Sequence, residues 1–92
     1  MMRCSVALSA TSHRIVRHLH PDIKRSIRKA CDDLSNNPYI GKPLKEELAG
    51  LWSLPVSHHR IIYQIESNAI SVVFIGPRRD VYERFRELLT EK

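Results

Sequence analysis

The stretch from Leu51 to Tyr82 constrains the fold most, because it holds three short runs of alternating apolar residues separated by brief polar gaps. Trp52, Leu54 and Val56 fall on one face at period two, with Ser53 and Pro55 opposite, which is the pattern of a half-buried strand. Ile61, Tyr63 and Ile65 repeat it against Arg60, Gln64 and Glu66, although Ile62 breaks the polar side. In the third run Ile70, Val72 and Phe74 share one face, while Val73 and Ile75 are apolar on the other. That predicts a central strand covered on both sides. Ser57-His58 and Ser67-Asn68 are short enough for hairpins, so the three runs predict an antiparallel meander. Pro55 has no amide hydrogen for a ladder, so its strand should end, bulge or lie at an edge there.

The flanks add helices. Cys4, Val6 and Leu8 alternate with Ser5, Ala7 and Ser9, predicting an opening strand. Ser9 or Thr11 can cap a first helix by accepting one of its unpaired amides. Ile15, Val16 and Leu19 give that helix its apolar side, with Arg14, Arg17 and His18 outward. His20-Pro21 ends it, and Pro21 suits the first position of a second helix. Ile23, Ile27, Ala30, Cys31 and Leu34 form an amphipathic stripe, with Lys24, Arg25, Arg28 and Lys29 away from it, until Asn36-Asn37-Pro38 stops the helix. Tyr39 to Gly50 reads as a connector, anchored by Leu44 and Leu48 and carrying Lys42 and Lys45. Val81, Phe85, Leu88 and Leu89 mark a last helix, with Asp80 as its cap. The predicted order is β-α-α-β-β-β-α, an α+β fold in which a helical hairpin and a C-terminal helix pack an antiparallel sheet, in one domain over residues 1–92.

A chain of 92 residues buries only roughly 60 to 65% of the surface that its unfolded form exposes. Single large apolar residues such as Trp52 and Phe74 therefore matter. A formal charge of +5 favours an acidic or polyanionic partner. Cys4 and Cys31 form no Cys-x-x-Cys pair and sit on apolar stripes, as reduced core thiols do. The opening MMRCSVALSA lacks the apolar core of a signal peptide and no run is long enough to span a membrane, so a cytoplasmic location is expected. His13, His18 and His20 are not spaced as a closed zinc set, and neither metal nor other cofactor is expected.

The segments KPLKEELAGLW, HRIIYQI and IGPRRDVYE resemble signature blocks of the RelE/ParE toxin superfamily of type II toxin-antitoxin modules, and chain length and element order fit as well. The resemblance implies a toxin neutralised by a cognate antitoxin, an extended and usually acidic protein that covers a basic groove. It also implies one of two targets: ribosome and mRNA for a RelE-like mRNA interferase, or DNA gyrase for a ParE-like inhibitor that is no enzyme. A binding-only relative is the third reading. Cleavage of RNA by its own 2′-hydroxyl needs a proton acceptor, stabilisation of the phosphorane and a proton donor. Ribosome-dependent members use lysine, arginine and tyrosine for this. The matching positions are Arg60, Arg78 and Tyr82, where the two arginines would meet phosphate and Tyr82 would stack on or orient the attacked nucleotide. Lys42, Lys45, His58, His59 and Arg79 complete the expected surface for RNA or antitoxin, the histidines as possible proton-transfer groups. Active nucleases of this kind usually carry basic residues at the positions of Ser53 and Pro55, which favours the gyrase reading; the intact Arg60, Arg78 and Tyr82 favour the nuclease.

Overall fold

The computed structural model describes residues 3–90. Along the chain run β1 (Ser5–Leu8), α1 (Ala10–Arg17), α2 (Pro21–Asn36), β2 (Lys42–Pro43), β3 (Trp52–Val56), β4 (His59–Glu66), β5 (Ala69–Pro77) and α3 (Val81–Thr90), with 3-10 turns at Pro38–Ile40 and Glu46–Leu48. The strands form one sheet in the order β1-β5-β4-β3-β2. The meander is antiparallel, as the alternation predicts, while β1 pairs in parallel with β5. A parallel pair needs a long connection, and here it comprises the α1–α2 hairpin followed by β2, β3 and β4. The connector holds more than the sequence predicts: Lys42 and Pro43 pair with Ser53 and Trp52 as a fifth, two-residue strand. Because β2 stops there, the outer edge of β3 is free at Pro55, where a missing amide hydrogen costs nothing.

Local signals explain the helix ends. The Ser9 hydroxyl, not that of Thr11, caps α1 by accepting from the Ser12 amide. His20 Nδ1 accepts from the Asp22 amide and Pro21 stands at the start of α2, so the predicted break is a start signal too. Asp80 lies just before α3, with its carbonyl accepting from the Arg84 amide and its carboxylate paired with Arg84 Nε at 2.9 Å. Of the predicted apolar stripe of α3, Leu89 is 55% exposed.

Helices cover both faces of the sheet. Ile27, Ala30 and Leu34 of α2 pack on Val56, Ile61, Tyr63, Ile70, Val72 and Ile75. On the other face Leu48, Ile62, Phe74, Val81 and Phe85 form a second cluster. Ile62 breaks the polar side of β4 because that side lies under α3. The predicted grouping of Ile70, Val72 and Phe74 is corrected by a bulge: Ile62 faces Phe74 but Tyr63 faces Val72, leaving Val73 as the extra residue. One inserted residue exchanges the faces that follow it. Ile75 therefore joins the α2 side, and Phe74 turns towards Phe85, with ring centroids 5.5 Å apart.

Tyr63 ties the connector to the sheet. It is fully buried, its hydroxyl donates to the Pro38 carbonyl at 2.8 Å and accepts from the Gly41 amide at 3.2 Å. Burial pushes the phenol pKa above its ordinary value, partly offset by the Gly41 amide. A Cβ at Gly41 would lie 2.5 Å from that hydroxyl and 2.6 Å from the Ser53 carbonyl. Gly41→Ala is thus expected to cost about 1–3 kcal/mol by overpacking and to lift β2 away from β3. Urea denaturation checks this, and a midpoint equal to the parent's would contradict it.

Candidate functional site

Residues directly opposite in an antiparallel pair share a face of the sheet. Lys42 lies opposite Ser53, and Pro55 lies opposite Arg60, so all four belong to the face that carries α3. Ser53 is only 1% exposed and forms the centre of a polar cluster. The Tyr82 hydroxyl donates to Ser53 Oγ at 2.9 Å, and Arg60 Nη1 approaches the same oxygen at 3.4 Å. Arg60 and Tyr82 are half-buried, and Lys42 is exposed across the strand pair.

The chain reaches this arrangement through the turn after β5. The Arg78 amide donates to the His58 carbonyl and the Asp80 amide to the Pro77 carbonyl, which turns the chain back over the sheet. Val81 and Phe85 then bury themselves against Ile62 and Phe74. Gly76 makes room: a Cβ there would meet Val81 Cγ2 at 3.1 Å and the Phe74 ring at 3.3 Å. Tyr82, one residue beyond Val81, packs half-buried against the edge of this cluster, and its hydroxyl reaches β3.

The remaining predicted residues are dispersed around this cluster. Arg78 and Arg79 sit exposed in the β5–α3 turn, with no side-chain hydrogen bond to the cluster among the described residues. Lys45 is exposed at the head of the second 3-10 turn, beyond β2. His58 is exposed in the β3–β4 hairpin, where its carbonyl accepts from the Arg78 amide. His59 precedes Arg60 in β4 and so faces the other way, lining a cavity with Thr11, Ile15 and Pro77; its Nδ1 is buried without a hydrogen-bond partner. The two histidines are therefore not equivalent, and His59 is held away from the strip that carries Arg60.

Sequence reasoning missed the role of Ser53, treating it only as the loss of a cation. Alternation puts it on the polar face of its strand, but a serine in a strand gives no sign of being a hydrogen-bond centre. The cluster offers a guanidinium, a phenol and a nearby ammonium as donors. Such a set can bind phosphate and stabilise added negative charge. Within hydrogen-bond distance of Ser53 it holds no imidazole or carboxylate among the described residues. Nor do three or more His, Cys, Asp or Glu side chains gather as metal ligands among those residues. No helix among them is long and apolar enough to cross a membrane.

Comparison with known proteins accounts for this architecture. Residues 8–82 match the model of a family described as the ParE toxin of the type II toxin-antitoxin system parDE. Toxin RelG of Mycobacterium tuberculosis is 34% identical over 87 residues, covering 90% of this chain and 100% of that protein. In the crystal structure of the toxin-antitoxin complex RelBE2 from the same organism, one chain is similar with a TM-score of 0.78 and 29% identity, over 83% of this chain and 99% of that one. An arginine double mutant of the E. coli toxin RelE in the free state shares the fold, with a TM-score of 0.76 at 14% identity, over 96% of this chain and 99% of that one. The chain thus belongs to the ParE toxin family of type II toxin-antitoxin systems, within the RelE/ParE superfamily.

Proposed function

We propose that this toxin is a RelE-like mRNA endoribonuclease that cleaves messages on the ribosome and is held silent by a cognate antitoxin. The observation that carries the reading is the convergence of Arg60 and Tyr82 on Ser53, on a face where Lys42 adds a second cation. In this reading Arg60 steadies the phosphorane as the 2′-hydroxyl of the message attacks its own phosphate. Lys42 supplies, from the neighbouring strand, the positive charge that β3 lacks at Ser53 and Pro55. Tyr82 orients the attacked nucleotide, and Arg78 and Arg79 approach the backbone from the turn. His58, exposed in the hairpin, is the histidine this reading assigns to proton transfer, since alternation along β4 puts His59 on the other face from Arg60. Residues 1–92 act as one domain, in the cytoplasm where ribosomes and messages are.

The gyrase reading draws on a specific observation too. Ser53 is neutral, buried and already hydrogen-bonded, so β3 offers no proton acceptor of its own. The deciding experiment is brief induction of the toxin without antitoxin, with mapping of message 5′ ends and a parallel supercoiling assay on purified gyrase. Cuts phased to codons are expected. Intact messages with inhibited gyrase would replace this reading with the second one, and inertness in both assays would leave a binding-only relative.

A further inference from the structure

The cavity that His59 lines has a volume of about 640 Å³ and lies at the outer edge of β5. β1 pairs only with Ala69–Val72, so β5 runs on from Val73 to Pro77 with no strand on that side, β4 being on the other. Helices border the gap instead. The α1 side of the lining carries Arg14 and, just past the helix end, His18, while α3 contributes Arg84 and Glu87. Leu19, Phe74 and Pro77 give the cavity an apolar floor. Among the described residues the side chains of Arg14 and His18 have neither an ion-pair nor a hydrogen-bond partner, and Arg84 engages Asp80 through Nε alone. Free guanidinium donors thus stand on two sides of an apolar recess.

We propose that this cavity binds a nucleoside phosphate, either free or as one unit of an RNA strand. Each part of such a ligand has a matching group. Arg14 and the Nη donors of Arg84 meet the phosphate through charge-assisted hydrogen bonds. The apolar floor takes the base, and His59 meets its polar edge through Nε2, since Nδ1 is shut away without a partner. Glu87 is the one carboxylate among the described lining residues. It would only weaken a site for a bare anion, whereas a carboxylate accepts hydrogen bonds from ribose hydroxyls. Inorganic phosphate would leave the floor uncovered, and a fatty acid would leave His59 and Glu87 unmatched. The volume also falls within the roughly 300 to 1,000 Å³ of small-ligand sites. His59 and Arg60 are consecutive in β4 and face opposite ways, so this site stands whichever reading of the Arg60 strip holds. An occupant bridges the α1 side to α3, the helix that also carries Tyr82.

The test titrates the intact, isotope-labelled chain with the common nucleoside 5′-monophosphates, the matching nucleosides, inorganic phosphate and an RNA trinucleotide, following the ring signals of His59 by NMR. At least one monophosphate is expected to shift those signals and to bind at least about tenfold more tightly than its nucleoside or phosphate, the effect of one added charge-assisted contact. Arg14→Ala/Arg84→Ala should abolish that gain while Arg60→Ala leaves it unchanged, and Glu87→Gln should lower the preference for ribose over deoxyribose. Should loss of the Asp80 pair unfold the double variant, Arg14→Ala alone gives the same comparison with a smaller loss. Both sources of the ligand support the site: tighter binding of the monophosphate marks a free nucleotide, and tighter binding of the trinucleotide with the same dependence on Arg14 marks a unit of RNA. An unmoved His59 ring, phosphate binding as tightly as every monophosphate, or binding that follows Arg60 and not Arg14 would overturn the proposal. Message cleavage does not enter this experiment, so its failure and that of the proposed function are distinguishable.

Discussion

Arg60→Ala is expected to slow message cleavage by about 10²- to 10³-fold, the usual effect of removing one preorganised charge stabiliser from a site. Arg60 is half-buried and its Nη1 lies 3.4 Å from Ser53 Oγ, so the guanidinium is directed to this face before substrate arrives. No alternative cation lies on β4 or β3 to replace it, and Lys42 reaches the face from a different strand. Arg60→Lys should recover only part of the lost rate, because an ammonium cannot present the planar pair of donors that phosphate oxygens accept. Cleavage of a message translated in a purified system, followed by primer extension, measures both variants. Cleavage by Arg60→Ala at the parent rate would remove this residue from the mechanism.

The largest effect on stability should come from Leu34→Ala, at about 2–5 kcal/mol. Leu34 is 0% exposed in the last turns of α2 and belongs to the larger of the two cores. Its neighbour Ser35 donates through Oγ to the Cys4 carbonyl at 2.6 Å and accepts the Cys4 amide at 2.9 Å. A cavity here would loosen both the helix and the entry to β1. Small domains are stable by only about 5–15 kcal/mol, so this single truncation consumes a large share of the margin. Equilibrium denaturation in urea gives the value, and a loss below about 1 kcal/mol would mean that the surrounding side chains collapse into the space.

Much of this fold is legible in the residues because period two survives along β3 and the first half of β5, and because proline and serine punctuate the helices. Trp52, Leu54 and Val56, the capping Ser9 and the break at His20-Pro21 all act as their chemistry predicts. The bulge at Val73 is not legible: the four apolar residues from Val72 to Ile75 satisfy either face, so nothing in the pattern shows where the alternation slips. The strand at Lys42 and Pro43 is hidden for another reason, since two residues carry no period and their pairing depends on the Tyr63 hydroxyl holding Pro38 and Gly41 far along the chain. For the site, Arg60 and Tyr82 can be named from sequence, but their meeting at Ser53 cannot. It depends on how closely α3 settles on the sheet, which the missing side chain of Gly76 permits. The division between His58 and His59 follows from simple alternation once β4 is known to begin at His59.

The parallel pairing of β1 with β5 has a consequence for the order of synthesis. β1 is made early but lies beside Ala69–Val72, so the first strand has no strand partner until nearly the whole meander has been translated. Tyr82 follows later still, after the turn that β5 leads into. A growing chain therefore carries Arg60 and Ser53 well before the phenol that joins them, and contacts this distant in sequence form slowly.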